Sequence, residues 1–212
     1  MKAFTVRLSA LIGGLALFGF AMSLMVRAHI GVEPWTALAL GASMRSGLSF
    51  GLVANLIGAA VLALWFPLRQ RPGLGTVMNI LLVGTIAQLG LLIVPAVATL
   101  PVRITLYVAG LLLLAVASGL YIAAGFGAGP RDGLMTGLKR RFGIPLWLGR
   151  TAVEVTAAVI GWYLGGDIGV GTVAFALLIG PLCNRTLPWF TARIPSRPHP
   201  SRPHPSRPHP VA

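Results

Sequence analysis

The stretch Gly31-Val-Glu-Pro-Trp-Thr-Ala-Leu38 recurs in altered form 96 residues later, as Gly127-Ala-Gly-Pro-Arg-Asp-Gly-Leu134. At the same offset, Gly73-Leu-Gly-Thr76 aligns with Gly169-Val-Gly-Thr172. The chain contains 27 glycines, so about one or two glycine pairs would coincide by chance over such a window. Seven pairs coincide without a gap. The sequence therefore predicts an internal duplication.

The composition excludes an ordinary water-soluble domain. Of the 212 residues, 56% are hydrophobic and only 10% are charged, which leaves too little polar surface to cover a soluble fold. Four acidic residues stand against 17 Lys and Arg, so the formal net charge is +13. In a polar protein this charge would indicate nucleic-acid binding, but in so apolar a chain it indicates orientation in a membrane. The single cysteine excludes an internal disulfide.

Long uncharged runs predict six transmembrane helices. A bilayer core of roughly 30 Å requires about 20 helical residues, and unpaired backbone groups in lipid leave helices as the available structure for such runs. The sequence is thus predicted to fold as an all-α polytopic membrane protein, with residues 1–190 as its membrane domain. The predicted helices lie near residues 8–28, 49–68, 77–97, 102–124, 146–165 and 170–188.

The duplication divides these helices into two repeats of three, about residues 8–97 and about residues 102–190. Because three is odd, the second repeat must enter the membrane from the opposite side, so the repeats are predicted to be inverted. Lys and Arg collect at both termini, around residues 69–71 and around residues 139–141. By the positive-inside rule, we expect a multi-pass protein of the bacterial plasma (inner) membrane with both termini cytoplasmic. A signal peptide is the competing interpretation of residues 1–28, and the match of the first helix to the fourth argues against it.

The Gly-Pro loops after the first and fourth helices are the candidate binding segments. Each places one proline at the start of a short helix-compatible stretch, where its missing N–H breaks no helical hydrogen bond. The free N–H groups of the residues that follow could bind an anion or be capped by an acidic side chain. If the loops enter the bilayer from opposite faces, Glu33 and Asp132 should meet near its middle. Ordinary surface turns with solvated acids are the alternative. The candidate substrate-binding residues in these loops are Glu33, Pro34, Trp35, Thr36, Gly127, Pro130, Arg131 and Asp132.

Two further candidate substrate-binding residues, Arg150 and Glu154, lie inside the fifth predicted helix. An acid at this depth is costly and is usually paired or faces a cavity. The two residues are four apart on one helix face, so they could form a structural ion pair; alternatively, Glu154 is a proton or cation site near Asp132. Asp167 falls in a predicted outside loop, where water should solvate it. Uncharged polar groups that could line a path or hydrogen-bond between helices are Asn55, Asn79, Gln88 and Asn184.

The repeated motifs resemble those of a known family. Both Gly-Pro stretches, and the later Gly-x-Gly-Thr segments, are similar to the repeated Gly-x-Gly-Pro-Trp-Asp and Gly-x-Gly-Thr patterns of the YitT/YczE-type bacterial integral membrane proteins. The resemblance covers about residues 8–190. The sequence departs from the pattern at Glu33 (Gly expected), Thr36 (Asp expected) and Arg131 (Trp expected). The resemblance implies an inner-membrane protein and specifies no substrate.

Residues 191–212 are predicted to form a disordered cytoplasmic tail. Ser-Arg-Pro-His-Pro occurs three times in succession from Ser196 to Pro210, and the alternating prolines exclude a helix. The arginines of the tail are expected to contact anionic lipid. Its histidines, held at a fixed spacing, make at most a weak metal site.

The sequence favours a carrier for a small solute, because it combines a duplication, two Gly-Pro loops and the intramembrane Glu154. The alternative is an accessory or regulatory membrane protein that acts on a partner without transport. An enzyme is not expected, because the sequence has no HExxH, no GxSxG and no Cys/His pair. The expected partners are membrane lipid and a small solute, with no nucleic acid, no cofactor and no metal.

Overall fold

The computed structural model describes residues 2–195, and every regular element within that range is an α-helix. The predicted all-α class is confirmed. Residues 196–212, which carry the three Ser-Arg-Pro-His-Pro copies, lie outside the described residues. The helices in chain order are α1 (Lys2–Ala28), α2 (Pro34–Ser46), α3 (Phe50–Ala63), α4 (Leu74–Ile93), α5 (Leu100–Ala123), α6 (Pro130–Phe142), α7 (Leu146–Tyr163) and α8 (Val170–Thr191).

The six predicted helices correspond to α1, α3, α4, α5, α7 and α8, and the short helices α2 and α6 follow within the predicted Gly-Pro loops. Pro34 and Pro130 begin these short helices, where a proline breaks no hydrogen bond. Gly47 and Gly143 end them with φ of 71° and 70°, a left-handed conformation that glycine adopts without steric cost. α2 and α6 therefore share their length of 13 residues and their start and stop signals.

Four helices, α1, α4, α5 and α8, are long and apolar enough to cross a bilayer. α2 and α3 meet the same criterion only together, and they are bent by 117° at the break between them. α3 alone has 14 residues, which at 1.5 Å per residue span only about 21 Å, and α7 carries Arg150 and Glu154. The described residues thus provide four candidate spans, or five with the bent pair, and the six predicted spans stay a prediction.

α1 and α5 form the centre of the bundle and run antiparallel. Near the start of α1, Arg7 Nε donates a hydrogen bond to the carbonyl oxygen of Ala124, just after α5, at 2.9 Å. At the other end, Arg103 Nε, near the start of α5, donates to the carbonyl oxygen of Ala28 at 2.6 Å. The core lies along this helix pair, and its largest fully buried apolar side chains are Leu11, Leu15, Met22, Met25, Val32 and Leu114.

The outer helices pack in matched pairs with one exception. α4 packs on α1 as α8 packs on α5, and α2 packs on α7 as α3 packs on α6. α3 also packs closely on α4, but no comparable contact joins the equivalent helices α7 and α8, both of which lie within the described residues. The bundle therefore departs from the symmetry of its sequence at the α7–α8 side.

The starts of α4 and α8 each hold the Gly-Pro loop of the other half. The Thr76 hydroxyl donates to the carbonyl oxygen of Ala128 at 2.7 Å. At the position 96 residues later, the Thr172 hydroxyl donates to the carbonyl oxygen of Val32 at 2.8 Å. Each loop is therefore anchored by a helix from the other end of the chain.

Candidate functional site

An ion pair joins the N-terminal ends of α2 and α6. Arg131, in the first turn of α6, donates to Glu33, the N-cap residue of α2, with 2.9 Å between Nη1 and Oε1. The Thr36 hydroxyl donates to the same oxygen at 2.8 Å. Glu33 is only 4% exposed, and a carboxylate this buried requires such partners. This is the one ion pair within the described residues.

The contact replaces the predicted meeting of Glu33 with Asp132. Arg131 supplies the opposite charge at the junction, and its guanidinium also lies over the Trp35 ring, 5.2 Å from the centroid. Asp132 instead accepts a hydrogen bond from the Tyr121 hydroxyl at 3.3 Å. Two carboxylates at the junction would repel each other, whereas an arginine beside one carboxylate is attracted to it.

The backbone leading to the ion pair requires glycine at two positions. Gly31 and Gly127, the first residues of the two matched stretches, have φ of 105° and 123°, which side-chain-bearing residues rarely adopt. A Cβ on Gly31 would also lie 2.7 Å from the backbone nitrogen of Gly169. Pro34 and Pro130, a few residues further on, begin their helices as buried residues. Among the predicted site residues, Gly127, Pro34 and Pro130 thus shape the backbone.

Two cavities flank the ion pair. The first, which we call the α3–α4 cavity, has a volume of about 70 Å³, and its charged lining residues are Arg131 and Asp132. The second, the α7–α8 cavity, has a volume of about 450 Å³, and its charged lining residues are Glu33, Arg131, Arg150 and Glu154. Since Arg131 lines both, the ion pair stands between the two cavities.

Glu154 lines the α7–α8 cavity without the ion pair that its spacing from Arg150 allows. Arg150 is exposed and Glu154 half-buried, and no nitrogen–oxygen contact within 4.0 Å joins these two described residues. The buried indole N–H of Trp35 makes no hydrogen bond within the described residues. Asp132 lines the other cavity, so the two acids do not share one.

The helices beside the two cavities differ in packing and in the residues at their contact, since Trp147 and Thr151 of α7 stand where α3 has Gly51 and Asn55. α3 and α4 are in close contact: the Gly51 backbone N–H donates to Gln88 Oε1 at 3.0 Å, and a Cβ on Gly84 would collide with the Gly51 carbonyl and the Asn55 side chain. Gly180, the counterpart of Gly84, has nothing within 4 Å of the position of a Cβ. The bundle is therefore sealed at α3–α4 and open at α7–α8.

The uncharged polar residues divide between the two roles considered for them. Asn55 and Gln88 hydrogen-bond between α3 and α4. Asn55 and Asn79 line the α3–α4 cavity, and Asn184 lines the α7–α8 cavity. Tyr121 was not predicted as a site residue. A tyrosine hydroxyl near the end of a mostly apolar helix is the signal that could have indicated a polar partner.

Asp167 is not the solvated loop residue expected from the sequence. It is half-buried, and its Oδ2 atom is buried without a hydrogen-bond partner among the described residues. Its carbonyl oxygen accepts the N–H of Val32 at 3.0 Å. Asp167 therefore belongs to the packing around the first Gly-Pro loop.

Comparison with known proteins identifies relatives along nearly the whole chain. Residues 5–187 match a family described as a family of unknown function, DUF6198. An uncharacterized protein of Haemophilus influenzae is 34% identical over 192 residues, covering 91% of this chain and 88% of that protein. The uncharacterized membrane protein YczE of Bacillus subtilis is 32% identical over 177 residues, 82% of each chain. No solved structure gives a significant match. The resemblance to YczE-type proteins is thereby confirmed, and this helical membrane protein belongs to the DUF6198 family.

Proposed function

We propose that the chain crosses the bacterial inner membrane six times, as two inverted repeats with both termini in the cytoplasm. The antiparallel arrangement of α1 and α5 supports opposite directions for the two halves. α4 and α8 also begin at opposite ends of the bundle, since Gly75 N–H bonds to Phe126 at one end and Gly171 N–H to Ile30 at the other. α2 and α6 would then be half-spanning helices entering from opposite faces, and α3 and α7 would complete the six crossings.

Reporter fusions test this topology. Fusions after Arg45, Arg71, Val102, Arg141 and Asp167 are expected to report outside, inside, outside, inside and outside, because the Lys- and Arg-rich segments stay cytoplasmic. Alkaline phosphatase activity marks the outside positions and fluorescence of a fused green fluorescent protein the inside ones. An outside signal after Arg141 would contradict both the orientation and the inversion.

We propose further that the protein is a carrier for a small solute. The Glu33–Arg131 pair carries this proposal, because it joins two helix N-terminal ends inside the bundle, between the α3–α4 cavity and the α7–α8 cavity. In inverted-repeat carriers, the substrate site lies between the repeats at broken helices, and the halves rock to change the side from which it is reached. The close α3–α4 contact and the lack of a comparable α7–α8 contact are what one of two such states would show, and they support the proposal.

The charges in the α7–α8 cavity suggest how a solute would act on the ion pair. Arg150 and Glu154 line this cavity with charges of both signs that form no ion pair with each other. A charged solute entering there would reach Glu33 and compete for Arg131, which also borders the α3–α4 cavity and its Asp132. Release of Arg131 from Glu33 would unlink α2 from α6. Solute binding would thereby be coupled to movement of one half against the other.

The carrier proposal is tested in two steps. The small-solute contents of cells with and without the protein are compared first. For any solute whose content differs between them, flux is then measured in proteoliposomes that contain the purified protein. Glu154→Gln and Asp132→Asn are expected to abolish flux at unchanged abundance, because each keeps the side-chain shape and removes the charge. Arg45→Gln is the control, since Arg45 is exposed at the end of α2 and lines neither cavity.

Two outcomes would count against the carrier. Normal flux in both acid variants would contradict a transport role for Asp132 and Glu154. A stable reconstituted chain that moves none of the solutes altered in cells would favour the accessory role, in which the protein acts on a partner without transport.

A further inference from the structure

A cluster of arginines lies at the C-terminal end of α6, away from the central ion pair. Arg69, Arg71 and Arg141 line one surface cavity of about 650 Å³, together with Phe66, Pro67 and Gln70. Within residues 2–195, none of these three guanidinium groups donates a hydrogen bond or forms an ion pair. Their donors are therefore free for a ligand from outside the chain.

Contacts between the segment after α3 and the end of α6 fix the positions of the arginine cluster. Arg140 donates to the carbonyl oxygen of Leu68 at 3.2 Å and to that of Arg69, which ties the segment after α3 to the end of α6. Gly137 packs closely on Leu68, where an added Cβ would lie 3.0 Å from Cδ1. Arg69 has a φ of 51°, a left-handed conformation that persists in a non-glycine residue only when the surrounding structure imposes it.

No acidic residue of the chain balances these charges. Residues 64–73 and 133–145 contain no Asp or Glu. The C-terminal dipole of α6 supplies only about half a negative charge, while Lys139, Arg140 and Arg141 already occupy its last turn. The acids of the chain lie elsewhere, at Glu33, Asp132, Glu154 and Asp167.

We propose that Arg69, Arg71 and Arg141 bind the phosphate of an anionic phospholipid headgroup. The forked guanidinium donors match phosphate oxygens in geometry and charge, and basic clusters at the cytoplasmic surface attract anionic lipid. The apolar side chains beside the cluster favour a lipid over a free anion: Phe66 is 90% exposed and Leu64 52% exposed, which gives the acyl chains a surface. This site rests on the proposed cytoplasmic orientation of the cluster and does not depend on the proposed transport function.

The test titrates the full-length chain in detergent with short-chain phosphatidylglycerol and with phosphatidylcholine of the same acyl length, and counts bound lipid by native mass spectrometry. The unmodified chain should bind phosphatidylglycerol about tenfold more tightly or better. The triple variant R69Q/R71Q/R141Q should lose this preference. The matched single variants R71Q and R45Q each remove one exposed arginine: R71Q should weaken phosphatidylglycerol binding, whereas R45Q, at the end of α2 and outside the cluster, should leave it unchanged.

Three results would overturn the proposal. Equal affinity of the unmodified chain for the two lipids would do so, and so would an equal loss of phosphatidylglycerol affinity in R71Q and R45Q, because binding would then follow net charge alone. Displacement of phosphatidylglycerol by millimolar inorganic phosphate would assign the site to a free anion. Should the triple variant fail to fold, Arg71→Gln alone replaces it; unchanged phosphatidylglycerol affinity there contradicts the site, and selective weakening supports it.

Discussion

Replacing Arg131 with glutamine should destabilise the folded chain by about 3 kcal/mol or more. The change leaves the Glu33 carboxylate, which is 4% exposed, with only the Thr36 hydroxyl as a polar partner. Glu33→Gln should lower the free energy of unfolding by less, because the Arg131 side chain that it leaves unpaired is 30% exposed and keeps its contact with the Trp35 ring. Unfolding of the purified variants in detergent, followed by size-exclusion chromatography, measures both effects.

The double variant with Gln at both positions separates a paired charge from a general packing effect. Two neutral amides can hydrogen-bond to each other, so most of the stability lost in Arg131→Gln should return. Destabilisation equal to the sum of the two single changes would show that the charges are not coupled. Arg45→Gln, which removes an exposed arginine at the end of α2, should leave unfolding unchanged within about 0.5 kcal/mol.

The second large effect is expected from a matched pair of glycines. Gly84→Val should destabilise the chain by about 2 kcal/mol or more, because the new side chain must displace the Gly51 carbonyl or the Asn55 side chain. Gly180→Val places the same side chain at the corresponding position of α8, where nothing lies within 4 Å. The free energy of unfolding of the Gly180→Val variant should change by no more than about 0.5 kcal/mol. Thermal unfolding midpoints of both variants in one detergent provide the measurement.

The same pair also bears on transport. If α7 must close on α8 during the cycle, Gly180→Val should stop solute flux while leaving the unfolding midpoint unchanged. Equal midpoints for the two variants would contradict the sealed α3–α4 contact. Normal flux in Gly180→Val would contradict closure of α7 on α8.

The sequence predicted the helices well because their signals are local. Pro34 and Pro130 mark helix starts, Gly47 and Gly143 mark helix ends, and the uncharged runs between arginines mark the long helices. It could not predict which charges meet. Glu33 and Arg131 are 98 residues apart, and their contact depends on how two half-helices pack rather than on the pattern around either one.

Two other features escaped prediction for physical reasons. Spacing of four residues makes an Arg150–Glu154 pair possible, but the side chains adopt other conformations along the open cavity. A repeated sequence predicts equal halves, yet Gly84 and Gly180 have different surroundings. The two halves are not equivalent at this contact, because α7 carries Trp147 at the position of Gly51, the residue that packs against Gly84.

The anchoring of the first Gly-Pro loop sets an order of events during synthesis. Thr172, which holds the carbonyl oxygen of Val32, is made 140 residues later, which at about 5–20 residues per second is a delay of roughly 7–28 s. The second loop has no such delay, because Thr76 already exists when Ala128 emerges. Until α8 inserts, the segment bearing Glu33 presents unpaired backbone groups that lipid cannot satisfy. The nascent protein therefore remains recognisable to membrane quality control as unfinished until its last helix has been translated.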